Sequence, residues 1–229
     1  MAVIAGIATI DGRQDSLYST VKSLIDQVDE LYIYANDYSP DADDPGGDVL
    51  DRGVWDWGAD HGDAGKFKAL TYLKYGDIYL SCDDDLIYPP DYVENITAGL
   101  ERHPDSIVSY HGRIMAQGEH FQSYYANSYG FPCLGDVPMD LRVDAAGTGV
   151  MAFHVEHAPD LEWILSQPKN MADIHMARHA KAKGLKLITL AHPANWITHG
   201  DIDLNDTIWA RAHKNDNIQT KLMREVMDA

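Results

Sequence analysis

Residues 78–90, Ile-Tyr-Leu-Ser-Cys-Asp-Asp-Asp-Leu-Ile-Tyr-Pro-Pro, constrain the fold more than any other stretch of the chain. An apolar run ends in three consecutive carboxylates, and Pro89 and Pro90 then stop any ladder, because proline has no N–H to donate. The pattern predicts a buried strand that delivers acid groups to its own C-terminal end. Adjacent carboxylates repel and raise one another's pKa. Asp83, Asp84 and Asp85 therefore point to a hard divalent cation, Mg2+ or Mn2+, which takes carboxylate oxygens readily. The competing reading is a solvated acidic turn, the usual setting of charge runs.

Strands and helices alternate around this stretch. Residues 3–10 read as a strand, Asp11-Gly12-Arg13 as a turn, and Leu17, Val21, Leu24, Ile25 and Val28 as one helical stripe that Asp15 or Ser16 can cap. Residues 31–35 read as the next strand. Residues 41–63, rich in Asp and Gly with Trp55 and Trp57 embedded, predict a long loop. A helix is expected from about Gly65, with Phe67, Leu70 and Leu73 inward and Gly76 as its C-terminal cap. Beyond the prolines, which suit a helix's first turn, Val93, Ile96 and Leu100 mark another helix and residues 107–110 another strand.

Residues 111–159 lose any sustained period and read as an insertion or short extra strands. A short helix over 159–165 follows, then a helix over 171–183 capped by Asn170 and stopped by Gly184, with Asp173 in its first turn. Residues 185–190 read as a strand, and Ile218, Leu222 and Val226 as a C-terminal helix. Such alternation predicts an α/β fold with a mostly parallel central sheet, flanking helices and an irregular insertion. Ligands bind such sheets at the C-terminal ends of their strands, where Asn36, Asp37 and the acidic triplet fall.

At 229 residues and 45% hydrophobic, the chain can bury one sizeable core and is expected to form one domain, 1–229. A net charge of -18 argues against a broad grip on nucleic acid or an anionic membrane. Only Cys82 and Cys133 are present, with no basic leader and no apolar run of membrane-spanning length. The expectation is a soluble protein of a reducing compartment, the cytoplasm, without stable membrane insertion. Two patterns are decoys. Gly147-Thr148-Gly149-Val150-Met151-Ala152 fits a dinucleotide fingerprint by letters, yet no clean strand precedes it and Pro159 closes the expected helix. His175 and His179 sit one helical turn apart without the glutamate a zinc protease needs, and read as a solvated helix face.

Taken in chain order, a set of motifs resembles the inverting nucleotide-sugar glycosyltransferases of the Rossmann-like GT-A fold, particularly compact bacterial and phage members. The matching pieces are residues 7–13, Ile-Ala-Thr-Ile-Asp-Gly-Arg; residues 31–37, Leu-Tyr-Ile-Tyr-Ala-Asn-Asp; and residues 62–67, Gly-Asp-Ala-Gly-Lys-Phe. To these add Asp83-Asp84-Asp85 as a DXD motif followed by Tyr88-Pro89-Pro90, His111-Gly112, Gly147-Thr148-Gly149, Asp173-Ile174 and Asn195-Trp196.

The resemblance implies a nucleotide-binding half over 1–110 and an acceptor and catalytic half over 111–229. It implies that Ala8, Thr9, Asn36 and Asp37 hold the nucleotide base of a UDP-sugar, with Arg13, Asp63 and Lys66 near the base or the phosphates. Asp83 resembles the acid that binds the ribose, with Asp84 beside it on the nucleotide sugar. Asp85 resembles the ligand of the Mn2+ or Mg2+ that bridges the diphosphate, and His199 the histidine that completes the metal shell. Asp173 occupies the place of the catalytic base, and His111, Gly149 and Trp196 fall on the acceptor or sugar side. Each has a plainer alternative: Asp173 as a helix-capping carboxylate, Lys66 as a surface cation, His199 as a loop histidine, Trp196 as packing. The acceptor, a glycan, a protein side chain, a lipid-linked sugar or a modified base of phage DNA, is open, as is the oligomeric state. A sugar nucleotidyltransferase would need an arginine-containing, glycine-rich loop that Gly12-Arg13 alone does not supply. A glycosidase and a non-catalytic nucleotide-sugar-binding module are the remaining alternatives.

Overall fold

The computed structural model describes residues 1–37, 49–200 and 215–229. The chain begins with β1 (Val3–Thr9), α1 (Gln14–Leu24), β2 (Glu30–Asn36), β3 (Val54–Gly58) and a 3-10 helix (Gly62–Thr71). β4 (Ile78–Asp83), β5 (Leu86–Ile87), α2 (Tyr92–Arg102) and β6 (Ser106–Ser109) follow. Next come β7 (Gly112–Met115), β8 (Ser128–Phe131), β9 (Leu141–Val143), β10 (Ala145–Ala146) and β11 (Val150–His154). The last elements are α3 (Leu161–Leu165), α4 (Ala172–Lys183), β12 (Lys186–Thr189), β13 (Thr198–His199) and α5 (Asn217–Asp228).

Among the described residues, eight strands form one sheet in the order β3-β2-β1-β4-β11-β6-β12-β9. The first four are parallel to one another. β11 runs antiparallel between β4 and β6, β12 is parallel to β6, and β9 is antiparallel at the edge. A small sheet of order β10-β7-β8 lies apart, and β13 pairs with β5.

Strand alternation divides the core into two layers. Ala5 and Ile7 of β1, with Ile78, Leu80 and Cys82 of β4, meet Leu17, Val21 and Leu24 of α1 and Ile96 and Leu100 of α2. Ile4 and Tyr79 belong to the opposite layer, with Phe67, Phe153, Ile174 and Met176. Because both faces of β4 are covered, its sequence reads as continuously apolar. Truncating a side chain as enclosed as Leu80 to alanine costs roughly 2–5 kcal/mol.

From β1 the chain steps outward to β2 and β3, then returns to β4 on the other side of β1. That reversal opens a crevice at the C-terminal ends of β1 and β4, the general location of ligands in open α/β sheets. Residues 83–85 lie there.

Several expectations need correction. Residues 50–58 are not loop: Leu50–Arg52 makes one 3-10 turn, and Val54–Gly58 is an edge strand on β2. An edge strand needs little apolar content, and Val54 and Trp57 are about half exposed. Residues 41–48 of the expected loop lie outside the described residues. The segment from Gly62 is a 3-10 helix that stops at Thr71, short of Gly76. Phe67, Leu70 and Leu73 recur every three residues, the period of that tighter helix.

Helix caps also differ. Neither Asp15 nor Ser16 caps α1, which starts behind Arg13 without a side-chain cap. Met171, not Asn170, holds the cap position of α4, and Asn170 takes a left-handed φ of 61°. The missing cap comes from another element: Asp63 Oδ2 accepts from the Ala172 N–H at 2.9 Å.

The irregular region contributes β11 to the centre of the main sheet, so Gly147 to Gly149 leads into a strand and not a helix, which disposes of the dinucleotide decoy. His175 and His179 are buried, not solvated, bonded through Nε2 to the carbonyls of Pro168 at 2.9 Å and His157 at 2.8 Å. In α5 the buried residues are Thr220, Met223 and Val226, while Ile218 faces outward. No helix among the described residues is long and apolar enough to cross a membrane.

Candidate active site

Three carboxylates in a row meet three different environments. Asp83, the last residue of β4, lies opposite Ala8 in register and pairs with Lys66 of the 3-10 helix. Lys66 is fully buried, so it is not a surface cation. Burial alone would lower its pKa, but Asp83 and then Asp63 lift the ammonium above its ordinary value. Asp84 turns to the opposite face, where it accepts from Arg13 Nη1 at 2.6 Å and Thr9 Oγ1 at 2.7 Å. Burial raises its pKa, against the pull of Arg13 and Thr9.

Asp85 is left with the weakest partner, Arg13 Nη1 at 3.7 Å. Burial first, then Asp83 and Asp84, push its carboxyl up to about 7. The main-chain N–H of Gly200 donates to the Asp85 carbonyl at 2.8 Å, which brings β13 and the exposed His199 alongside the acid motif.

One turn of chain connects this cluster to Asp173. Gly149 stacks on Asp83 so closely that a Cβ there would lie 2.0 Å from Asp83 Oδ2, and only glycine fits. Its neighbour Thr148 donates to Asp173 Oδ1 twice, from N–H at 2.7 Å and from Oγ1 at 2.8 Å. Asp173 thus sits in the first turn of α4 but directs its hydrogen bonds outward to Thr148, not to its own helix. Asp63 lies behind it. Its Oδ2 holds Ala172, its Oδ1 is buried without a partner among the described residues, and burial raises its pKa to about 6 against Lys66. His111 is partly buried, with its pKa lowered by burial despite Asp173.

Other expected residues take structural positions. Asn36 is buried and its amide is fully committed: Oδ1 accepts from His61 N–H, and Nδ2 donates to the carbonyls of Thr9 and Gly62. Asp37 is exposed at the end of β2, with φ 51°. Trp196 packs edge-on against Tyr110 at 4.8 Å and donates from Nε1 to Asp91.

Sequence reasoning missed two positions. Thr148 was hidden inside the Gly-Thr-Gly decoy. The sequence presents Tyr88 only as part of Tyr-Pro-Pro, yet its hydroxyl accepts from Asp83 N–H at 2.9 Å and donates to the Gly149 carbonyl at 2.6 Å. It locks β4 to β11 directly beneath the acids.

A hard divalent ion suits this donor set. Mg2+ and Mn2+ take one or two carboxylates and fill the remaining positions with water and substrate phosphate, so a three-ligand protein cage is not required. Among the described residues no such cage exists. Asp85, raised by burial and then by its acidic neighbours, is the carboxyl that a cation would relieve most.

No protein-family model matches the sequence, and neither does any curated protein. Among solved structures, that of GalNAc-T7 with UDP, GalNAc and Mn2+ aligns with a TM-score of 0.61 at 11% identity. The alignment covers 83% of this chain and 42% of that one, so the chain spans less than half the length of this neighbour. A likeness at such low identity speaks for the fold, and the fold of this chain is that of the GT-A glycosyltransferases, a large, mostly parallel sheet between flanking helices.

Proposed function

We propose that the chain is a metal-dependent, inverting glycosyltransferase that moves a sugar from a nucleotide-sugar donor, a UDP-sugar, to an acceptor hydroxyl. One observation carries the reading. At the switch point of a GT-A sheet, Asp83, the first of the triplet, packs through Gly149 and Thr148 onto Asp173, so the donor-side acids and the base-side carboxylate lie at one sheet edge.

In this reading the ends of β1 and β2 receive the nucleoside. Ala8, Thr9 and Asp37 line it, and Asn36 shapes its floor. Asp83, oriented by Lys66 and by the Tyr88 hydroxyl, takes the ribose. Arg13 and Asp84, tied to each other, set the edge near the phosphates, and Asp63 and Lys66 stand behind them. Asp85 would hold the divalent ion, with His199 as the further ligand. When bound, the ion would supply positive charge against the departing diphosphate. Asp173 takes the proton of the acceptor hydroxyl as it attacks from the opposite face, and a single displacement inverts the anomeric centre. Thr148 fixes the Asp173 carboxylate for that transfer. His111 and Gly149 border the sugar, and Trp196 supports the wall from its packed position.

The test is a thermal-shift series with UDP, other nucleoside diphosphates and phosphate, each with and without Mn2+. A melting point raised by UDP only together with Mn2+ is expected, since a ligand that binds the folded state alone stabilises it. Hydrolysis of a UDP-sugar without acceptor, followed by NMR for inverted anomeric product, then reads the chemistry. No UDP response with any metal, or a retained anomer, defeats the proposal.

A further inference from the structure

We propose that the wall beside Asp173 holds an oxyanion subsite for the acceptor, with Arg113 as its cation; this deepens the transferase reading and rests on it. Arg113 is on β7, opposite Ala145 of β10 and Gly130 of β8. Its guanidinium lies 4.9 Å over the ring of Tyr125 and 5.6 Å from that of Tyr124. Nη1 donates to Ser128 Oγ at 3.0 Å, and Ser128 in turn donates to the Tyr125 carbonyl at 3.3 Å, so the group is held in one orientation.

The guanidinium has five N–H donors in a fixed fork suited to carboxylate or phosphate. Among the described residues Arg113 uses one of them and has no carboxylate partner. In a chain with 36 acids against 18 lysines and arginines, a part-buried arginine left unpaired is unexpected. Arg13, Arg52, Lys66, Arg102 and Lys169 all pair with aspartates. Gly130 leaves the fork open: a Cβ there would stand 3.4 Å from Nη1 and 3.9 Å from Nη2, and the glycine brings no side chain across it.

Register places this fork near the base. β10 ends at Ala146, and the chain turns at Thr148, which holds Asp173; the three residues from Ala145, opposite Arg113, to Thr148 span at most roughly 10 Å. The Tyr125 hydroxyl, its pKa raised by burial first, also feels both Asp173 and Arg113, consistent with a shared pocket. An acceptor with its hydroxyl at Asp173 can therefore rest a phosphate or carboxylate on Arg113. One cation in so acidic a chain provides no track for a polynucleotide backbone.

The experiment uses the full chain loaded with UDP and Mn2+ and titrated with glucose, glucuronate, glucose 6-phosphate and a single-stranded oligonucleotide. The natural chain is compared with Arg113→Gln and Arg113→Lys, and UDP affinity and melting temperature are recorded for each. The expected result is that one or both charged sugars bind at least tenfold more tightly than glucose. Arg113→Gln erases that preference with UDP affinity unchanged, and Arg113→Lys, which keeps the charge without the fork, retains part of it. The better of the two charged sugars then identifies the anion. The subsite is overturned if glucose binds as well as the charged sugars, if the preference survives in Arg113→Gln, if UDP affinity falls in parallel, or if the oligonucleotide outcompetes both sugars through Arg113. If the natural chain does not bind UDP with Mn2+ at all, the transferase reading fails and takes the subsite with it.

Discussion

The acids at the end of β4 and the acids at the start of α4 are neutralised by different means. Asp83 and Asp84 are met by the side-chain cations Lys66 and Arg13, which leaves Asp85 short of a partner and its carboxyl raised to about 7. Asp173 is met instead by the N–H and hydroxyl of Thr148, and Asp63, which still feels Lys66, by the Ala172 N–H at the positive end of a helix. Fixed donors orient a carboxyl group without a side-chain ion pair. A triplet with one carboxylate too many would gain from a cation that arrives with substrate, as the proposed transfer requires. The two clusters therefore suit two different tasks.

The largest effect should separate those tasks outright. Asp173→Asn is expected to lower kcat roughly 10²–10⁴-fold, with UDP affinity and the Mn2+ thermal shift intact. Asp85→Asn should do the reverse, removing the Mn2+ shift first. A steady-state assay paired with thermal shift reads both, and if both variants lose metal and UDP binding equally, the two clusters are a single unit.

The second effect lies in stability without metal. A carboxyl raised in the folded state binds its proton more tightly folded than unfolded, so it adds stability as pH falls through about 7, complete below the ordinary carboxylate value near 4. At pH 8 the same carboxyl is charged, buried and beside two like charges. Asp85→Asn is thus expected to be more stable than the natural chain at pH 8 by roughly 2–4 kcal/mol, with the gap closing toward pH 5. Partly buried His111 and buried His175 and His179 oppose this trend, with their pKa values lowered by burial, but they are common to both proteins and cancel in the difference. A gap unchanged between pH 8 and pH 5, measured by urea melts, would remove Asp85 from its strained position.

The two clusters also differ in how plainly the sequence announces them. The β4 triplet is legible because strand, acids and prolines are contiguous, and alternation along one strand then assigns Asp83 and Tyr79 to the same face. The α4 cluster draws on Asp63, Thr148 and Asp173, spread across more than a hundred residues, and its key contact runs between a 3-10 helix and a helix N-terminus. β11 was illegible for a related reason: it is antiparallel in a parallel sheet, entered by a Gly-Thr-Gly that serves close packing on Asp83. Asn36 and Asp37 mark the right strand end, but composition cannot reveal that the Asn36 amide is consumed internally.

A smaller effect tests whether the second cluster really positions Asp173. Thr148→Val keeps the backbone donor and removes the Oγ1 bond of 2.8 Å. Loss of one neutral-to-charged hydrogen bond of this kind should slow kcat roughly three- to tenfold, with KM for the donor unchanged. Thr148→Ser, which restores the hydroxyl, should recover most of the rate. Equal losses in both variants would point to packing of the β-branched methyl instead.

The smallest effect concerns the same two segments tied a second time, in solvent. Lys169 Nζ meets Asp60 Oδ2 at 2.7 Å just outside the Asp63 to Ala172 bond, and both side chains are about half exposed. The hydrogen bond from Lys169 lowers the Asp60 pKa, but water and salt screen such a pair, and exposed ion pairs contribute roughly 0.2–1 kcal/mol. Lys169→Met should therefore shift the urea midpoint by less than Asp63→Ala, which strands a buried helix N–H, and its effect should vanish in 1 M salt. If Lys169→Met proves the costlier of the two, the entry to α4 is held from the surface, and the dipole-based account of the Asp173 cluster loses its anchor.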